Sequence, residues 1–124
     1  MIRDFDRLSV ERVQQVLYDD GSGILRWRIR MGCRGNIGIV AGTIHEVRCE
    51  QRWTIQIDRG KYLRSRLVFV LNTNRWPLPD MVVDHEDKNT LNDKYNNLRE
   101  ITQKQNMETR EALRYVGVDF YQGL

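Results

Sequence analysis

The sequence predicts an α+β fold, a small antiparallel sheet plus helices, from three observations. Apolar residues recur at helical spacing after Ser9, two stretches alternate between apolar and polar residues, and the order strand, polar loop, strand, helix occupies the second half. With 124 residues, 40% of them hydrophobic and 30% charged, the chain can bury one modest core but not two. We therefore expect residues 1–124 to form a single domain.

The first element is a helix that begins at Ser9, a residue type favoured at the N-cap because its hydroxyl accepts from a free backbone N–H. Leu8 and Val13 occupy the two positions of a hydrophobic staple around that cap. The turn residues DDGSG at 19–23 stop the pattern. We therefore predict that the helix ends at about Tyr18.

Strands follow in the next third of the chain. LRWRIR (25–30) and WTIQID (53–58) both alternate at the period of a strand, and the second leads into a turn. The polar face of the first carries Arg26, Arg28 and Arg30. That face suits either solvent or the phosphates of DNA, and acidic neighbours such as Asp58 could neutralise part of it. LRSRLVFVLNTN (63–74) has a continuous apolar centre that fits a buried strand or a buried helix equally.

The segment VVDHEDKNTLNDKYNNLREITQKQN (82–106) contains a strand, a loop rich in Asp and Asn, and a second short strand at 98–101. Thr102 and Gln105 then fit a capping box, in which each side chain bonds the backbone N–H of the other. A helix over about 103–113 should follow.

Three side chains of that segment have the chemistry of a catalytic site. A carboxylate such as Asp84 and an amide such as Asn106 can give a hard divalent cation two oxygen ligands, with other positions left to water. A neutral imidazole, here His85, can accept a proton from water because its reference pKa is about 6.5. Taken alone, the acid–histidine pair fits a structural hydrogen bond equally well.

The same segment resembles the HNH endonuclease family in its phage and bacterial H-N-N branch. The D-H pair is Asp84-His85, the central residue is Asn97 in NNLRE, and the helix residue is Asn106 in TQKQN. Asn97 lies 12 positions and Asn106 lies 21 positions after His85 (97 − 85 and 106 − 85). The resemblance implies a C-terminal ββα-metal (HNH/His-Me) finger and extends over roughly residues 8–110.

The resemblance also divides the chain. It implies an N-terminal helix, small sheet and connecting helix in 1–75, the finger in 76–113 and a tail in 114–124, and it favours helix for 66–74. Many relatives have histidine where Ser65 stands, so any supporting role of that histidine is absent or replaced. YVGVDFYQGL (115–124) looks like the opening strand of a DNA-binding module that follows the nuclease unit in similar phage proteins.

By resemblance, His85 is the general base and Asp84 with Asn106 holds one Mg²⁺ or Mn²⁺ against the scissile phosphate. Asn97 is expected to organise the loop and orient His85. The expected products carry 5′-phosphate and 3′-hydroxyl ends, and no structural zinc is expected. Candidate contacts to the backbone of double-stranded DNA are Arg26, Arg28, Arg30 and Lys104.

The function predicted is a metal-dependent, nickase-like DNA endonuclease, and the alternative is a DNA-binding module that keeps the finger without cleavage. A nuclease that acts on RNA or on particular structures fits the same residues. A net charge of +3 and a pI of about 9.1 permit nucleic acid as partner without requiring it. Two cysteines without a C-x-x-C pair and the lack of an 18-residue apolar run favour a cytoplasmic location.

Overall fold

The computed structural model describes residues 8–32, 35–47 and 49–107, and these form an α+β fold, as predicted. The elements are α1 Val10–Val16, β1 Leu17–Asp19, β2 Leu25–Trp27, β3 Thr43–Val47, β4 Glu50–Ile57, β5 Gly60–Leu63, α2 Arg64–Thr73, β6 Met81–His85, a 3-10 helix Tyr95–Asn97, β7 Leu98–Thr102 and helical residues 103–107. The predicted helix beyond 107 and the segment 115–124 lie outside the described residues.

Helix α1 begins where the sequence predicts and ends earlier. The Ser9 side chain accepts from the backbone N–H of Arg12 at 3.1 Å, which confirms the N-cap. Leu8 and Val13 are both buried, as the staple requires. The helix stops at Val16 rather than Tyr18, because Leu17 is already extended and starts a strand that pairs with β2.

The strands before α2 form two antiparallel sheets rather than one, with the orders β1-β2 and β3-β4-β5. Strand β2 ends at Trp27, so the predicted strand over 25–30 is wrong in its second half. The alternation still predicts correctly which side chains face the core, because Leu25 and Trp27 are buried and Ile29 packs against the core. Strands β4 and β5 meet in a hairpin whose two turn residues, Asp58 and Arg59, have φ of 49° and 73°, as in a type I′ turn.

The ambiguous segment is helical. Helix α2 runs from Arg64 to Thr73 and ends at Asn74, which adopts the left-handed conformation with φ of 61°. It lies in the middle of the fold, in contact with α1, β4, β5 and β6, which explains why its central residues are apolar without interruption. The core residues are Leu8, Val13, Val16, Leu17, Leu25, Trp27, Ala41, Ile55, Ile57, Tyr62, Leu67, Val68, Val70 and Leu98.

The predicted strand, loop, strand, helix order is confirmed in the second half. Strands β6 and β7 pair antiparallel, with Asp84 opposite Arg99 and His85 opposite Leu98. The capping box is also present, since the Thr102 N–H donates to Gln105 Oε1 and the Gln105 N–H donates to Thr102 Oγ1, both at 3.0 Å. Among the described residues, no helix is long and apolar enough to cross a membrane.

Candidate active site

Three of the four predicted site residues lie at one end of the β6–β7 hairpin, and Asn106 follows Thr102, which pairs with Met81 at the other end. Asp84 and His85 are the last two residues of β6. Asn97 ends the 3-10 helix immediately before β7, and its backbone oxygen accepts from the N–H of Glu86 at 2.7 Å. Asn106 is the fourth helical residue after the Thr102 cap, where it is partly buried. Antiparallel pairing therefore places Asp84, His85 and Asn97 at the base of one loop.

Asn97 organises that loop through three side-chain hydrogen bonds. Its Oδ1 accepts from the N–H of Asp87 at 3.1 Å, and its Nδ2 donates to Asp87 Oδ1 and to the backbone oxygen of Asn92, both at 2.9 Å. Bonds from Asn92 and from Asn97, together with the N–H of Asn89, hold the pKa of Asp87 below its ordinary value. None of the Asn97 bonds reaches the His85 ring, so Asn97 acts on His85 only through the loop backbone.

The His85 ring is instead held by an acid that the sequence did not single out. Nε2 of His85 lies 2.7 Å from Oδ1 of Asp93, and Oδ2 of Asp93 accepts from Nε of Arg64 at 2.8 Å. All three side chains are buried, with exposed fractions of 4%, 2% and 4% respectively. Ser65 is buried beside Arg64 in the chain, but it is Arg64 that reaches the loop.

Arg64 and Asp93 are fixed by neighbours from the first half of the chain. Arg64 also donates to the backbone oxygen of Leu91 at 3.1 Å, and its guanidinium lies 4.5 Å from the centre of the Trp53 ring. Gly23 packs directly under the Asp93 backbone, where a Cβ would come within 2.4 Å of the Asp93 carbonyl carbon. A glycine is needed there, both for this approach and for its φ of +83°.

Asp84 has a different environment. Its Oδ2 accepts from Lys88 Nζ and from Arg99 Nε, both at 3.0 Å. Burial opposes ionisation of Asp84, but the two cations outweigh it and hold the pKa of the carboxyl below its ordinary value. Within the described residues Oδ1 of Asp84 has no hydrogen-bond partner, so an ionised carboxylate keeps one oxygen for another ligand.

The donor chemistry of Asp84 and Asn106 fits a hard divalent cation. Carboxylate and amide oxygens are the ligands that Mg²⁺ and Mn²⁺ prefer. In the described part of the chain, no group of three or more His, Cys, Asp or Glu side chains could hold a metal ion. One carboxylate and one amide form a smaller set, which leaves most positions around a cation to water and to phosphate oxygens.

The arginines predicted to face DNA do not share one strand face. Arg26 is partly buried in β2 and donates to the backbone oxygen of Gly38 at 2.9 Å. Arg28 and Arg30 are exposed beyond the strand end, and the guanidinium of Arg28 lies 5.7 Å from the centre of the Tyr18 ring. Lys104, the fourth predicted contact, is exposed in the helical segment 103–107. Contact with DNA by these four residues stays a prediction.

Comparison with known proteins gives three findings. Residues 62–108 match the family described as HNH endonuclease. The fold is similar to a solved structure described as "DNA binding and cleavage by the HNH homing endonuclease I-HmuI", with a TM-score of 0.57 and 18% sequence identity. The match covers 85% of this chain and 57% of that chain, so this chain spans little more than half of it. No curated protein matches this chain in sequence.

Proposed function

We propose, from the premise that residues 62–108 belong to the HNH endonuclease family, that this protein hydrolyses phosphodiester bonds in DNA. In this proposal His85 is the general base that takes a proton from the attacking water. Asp84 and Asn106 hold one Mg²⁺ or Mn²⁺, and Asn97 keeps the loop in shape. A site of this kind cuts one strand at a time, so the expected first product is a nicked duplex.

The single observation that carries the proposal is that only one of the two ring nitrogens of His85 is hydrogen-bonded among the described residues. Nε2 contacts Asp93, whereas Nδ1 has no hydrogen-bond partner among the described residues. Nδ1 is therefore the ring nitrogen left open to accept a proton, which is what a general base requires.

The environment of Asp84 supports the metal-binding part of the proposal. Its lowered pKa keeps the carboxylate ionised at neutral pH, and Oδ1 remains available as a ligand. A divalent cation, when bound, neutralises charge that develops on the phosphate and on the departing 3′ oxygen. The residues of the chain would hold that cation, position the loop, and accept the proton at His85.

We also propose that exposed cations on the surface of the protein bind double-stranded DNA. Arg28, Arg30 and Lys104 are exposed cations, which suit contacts to phosphates that position the duplex without reading its sequence. Binding through such contacts should weaken steeply as the salt concentration rises.

The experiment that tests the function is cleavage of supercoiled plasmid, with nicked and linear products resolved. Wild type, His85→Ala and His45→Ala are compared in Mg²⁺, in Mn²⁺ and in EDTA. His45 is the matched control, because it is the only other histidine of the chain and is exposed on β3, where it contacts Thr43. Loss of a general base should reduce nicking by about 10²–10⁴-fold, whereas His45→Ala should nick like wild type.

Two results would contradict the proposal. If wild type leaves the plasmid intact in both metals, catalysis on this substrate is excluded. If it also retards duplex DNA on a gel, the alternative of a DNA-binding module on an HNH scaffold is favoured. If His85→Ala nicks as fast as wild type, the activity does not come from this site.

A further inference from the structure

A chain of three buried polar side chains connects helix α2 to the His85 ring. Arg64 donates to Oδ2 of Asp93 at 2.8 Å, and Oδ1 of the same carboxylate lies 2.7 Å from Nε2 of His85. Burying two charged groups removes both from water before their attraction is counted, so an ion pair in such a place is weak support for stability alone. A role beyond stability is therefore worth seeking for this chain.

The chemistry of the contact determines which ring nitrogen carries hydrogen. A carboxylate has only acceptor oxygens, so a hydrogen bond to Asp93 requires the hydrogen to be on Nε2 of His85. In a neutral imidazole the other nitrogen, Nδ1, then has a lone pair. Among the described residues Nδ1 has no hydrogen-bond partner, so its lone pair is the one available to take a proton.

The carboxylate itself has little freedom to rotate. Each of its two oxygens has a separate partner, and Arg64 is held in turn by the backbone oxygen of Leu91 at 3.1 Å and by the Trp53 ring. The Asp93 backbone is packed against Gly23. Three segments distant in sequence, at Gly23, Trp53 and Arg64, therefore combine to hold one carboxylate at one nitrogen of His85.

We propose that Asp93 is a positioning residue that keeps His85 in the tautomer with hydrogen on Nε2, and that Arg64 fixes Asp93 for this task. The inference rests on the proposed function, in which Nδ1 takes the proton from water. It assigns to Asp93 the part that a buried aspartate has in serine protease triads, where it holds a histidine in the correct tautomer. Neither residue touches the substrate in this assignment.

Asp93→Asn is the informative substitution, because the amide has the shape of the carboxylate but can donate. Arg64 can only donate, so the amide oxygen should turn toward Arg64 and the amide nitrogen toward His85. Nε2 then has to accept, which moves the hydrogen to Nδ1 and removes the lone pair that would take a proton from water. We expect nicking to fall by about 10²–10⁴-fold while affinity for duplex DNA is unchanged.

The experiment combines two readouts on the full chain. Nitrogen-15 NMR of the His85 ring, at a pH where the imidazole is neutral and without metal or DNA, reports the tautomer. Plasmid nicking and DNA retardation report kcat and binding. Asp58→Asn is the control, because Asp58 also accepts from an arginine, Arg12, at 2.8 and 3.0 Å, but lies on the surface and has no contact with His85.

Hydrogen on Nε2 in wild type, hydrogen on Nδ1 in Asp93→Asn, and loss of nicking only in Asp93→Asn would support the proposal. An unchanged tautomer or unchanged nicking in folded Asp93→Asn would overturn it. If wild type does not nick in any metal, the proposed nuclease function fails, and the NMR comparison still decides whether Asp93 sets the tautomer.

Arg64→Lys is a second variant in case Asp93→Asn does not fold. Lysine keeps the positive charge but loses the planar fork that bonds both Asp93 and Leu91. The tautomer should stay as in wild type, and kcat should fall about tenfold with KM for DNA unchanged, because the carboxylate is less firmly held. Equal kcat in Arg64→Lys and wild type would overturn the role of Arg64.

Discussion

Asp93 and Asp84 both lie near His85, and each carboxylate contacts two groups that can carry positive charge. They differ in how far they and their partners are exposed to solvent. Asp93 and its partners Arg64 and His85 have exposed fractions of 2%, 4% and 4%, whereas Asp84, Lys88 and Arg99 have 13%, 35% and 41%. In the buried group each oxygen of Asp93 has its own partner. In the exposed group both cations bind Oδ2 of Asp84, and Oδ1 has no partner among the described residues.

The difference shows how one kind of interaction can serve two purposes. A buried ion pair cannot exchange its partners for water, so it fixes geometry. An exposed pair is screened by solvent and salt and contributes little energy, so its partners can be replaced by a cation of higher charge. In the proposed site, the first group holds the base and the second holds the ligand position for a metal.

The largest expected effect that separates the two groups is on stability. Asp93→Ala leaves the Arg64 guanidinium buried without its partner and should lower the free energy of unfolding by about 3–5 kcal/mol. Asp84→Ala removes only partly exposed pairs and should change it by less than about 1 kcal/mol. Urea denaturation of the two variants measures both values. Similar losses in the two variants would contradict the distinction between a fixed and an exchangeable group.

A smaller effect is expected on metal binding. Arg99→Gln removes one of the two cations that compete for Asp84, an interaction worth about 1 kcal/mol, so Mn²⁺ should bind about fivefold more tightly. Isothermal titration of the DNA-free protein measures this affinity. Arg75→Gln is the control, because it makes the same change at a carboxylate, Glu100, that has no proposed metal role. Weaker Mn²⁺ binding in Arg99→Gln would contradict competition for Asp84.

The smallest effect concerns Glu100, which resembles Asp84 in exposure but lacks its proposed chemistry. Its two oxygens accept from Arg75 at 2.7 and 3.1 Å, and one also accepts from the N–H of Leu78 at 2.8 Å. The bond from Arg75 exceeds the opposing effect of burial and, with the bond from Leu78, holds the pKa of Glu100 below its ordinary value of 4.5. At neutral pH, Glu100→Gln should lower Tm by about 2–5 °C without changing nicking.

The sign of the pH dependence follows from that lowered pKa. The unfolded chain takes up a proton at Glu100 near its ordinary pKa of 4.5, before the folded protein does. The stabilisation is therefore complete above that pH and is lost as the pH falls through the lower folded value. Thermal melts of wild type and Glu100→Gln should differ at pH 7 and converge in acid. A difference in Tm that grows on acidification would contradict this assignment.

The elements predicted correctly from the sequence are those that depend on residues close together in the chain. The Ser9 cap and the capping box at Thr102 and Gln105 depend on residues three positions apart, and both are present. The two strands on either side of the polar loop were predicted, whereas the register that places Asp84 opposite Arg99 and His85 opposite Leu98 was not. Errors arose where two local signals competed, as at Leu17, where strand pairing with Trp27 ended a helix that could have continued.

Local signals in the sequence were enough to predict the α+β class, the strand–loop–strand order and the caps at Ser9 and Thr102, because caps and periodic patterns act over a few neighbouring residues. Which group holds the histidine depends instead on packing between segments that are distant in sequence. Asp93 lies in a loop that composition marks as polar and solvated, and Arg64 precedes it by 29 positions. Their contact depends on how α2 packs against the finger and on the space left by Gly23, and neither follows from the residues adjacent to His85.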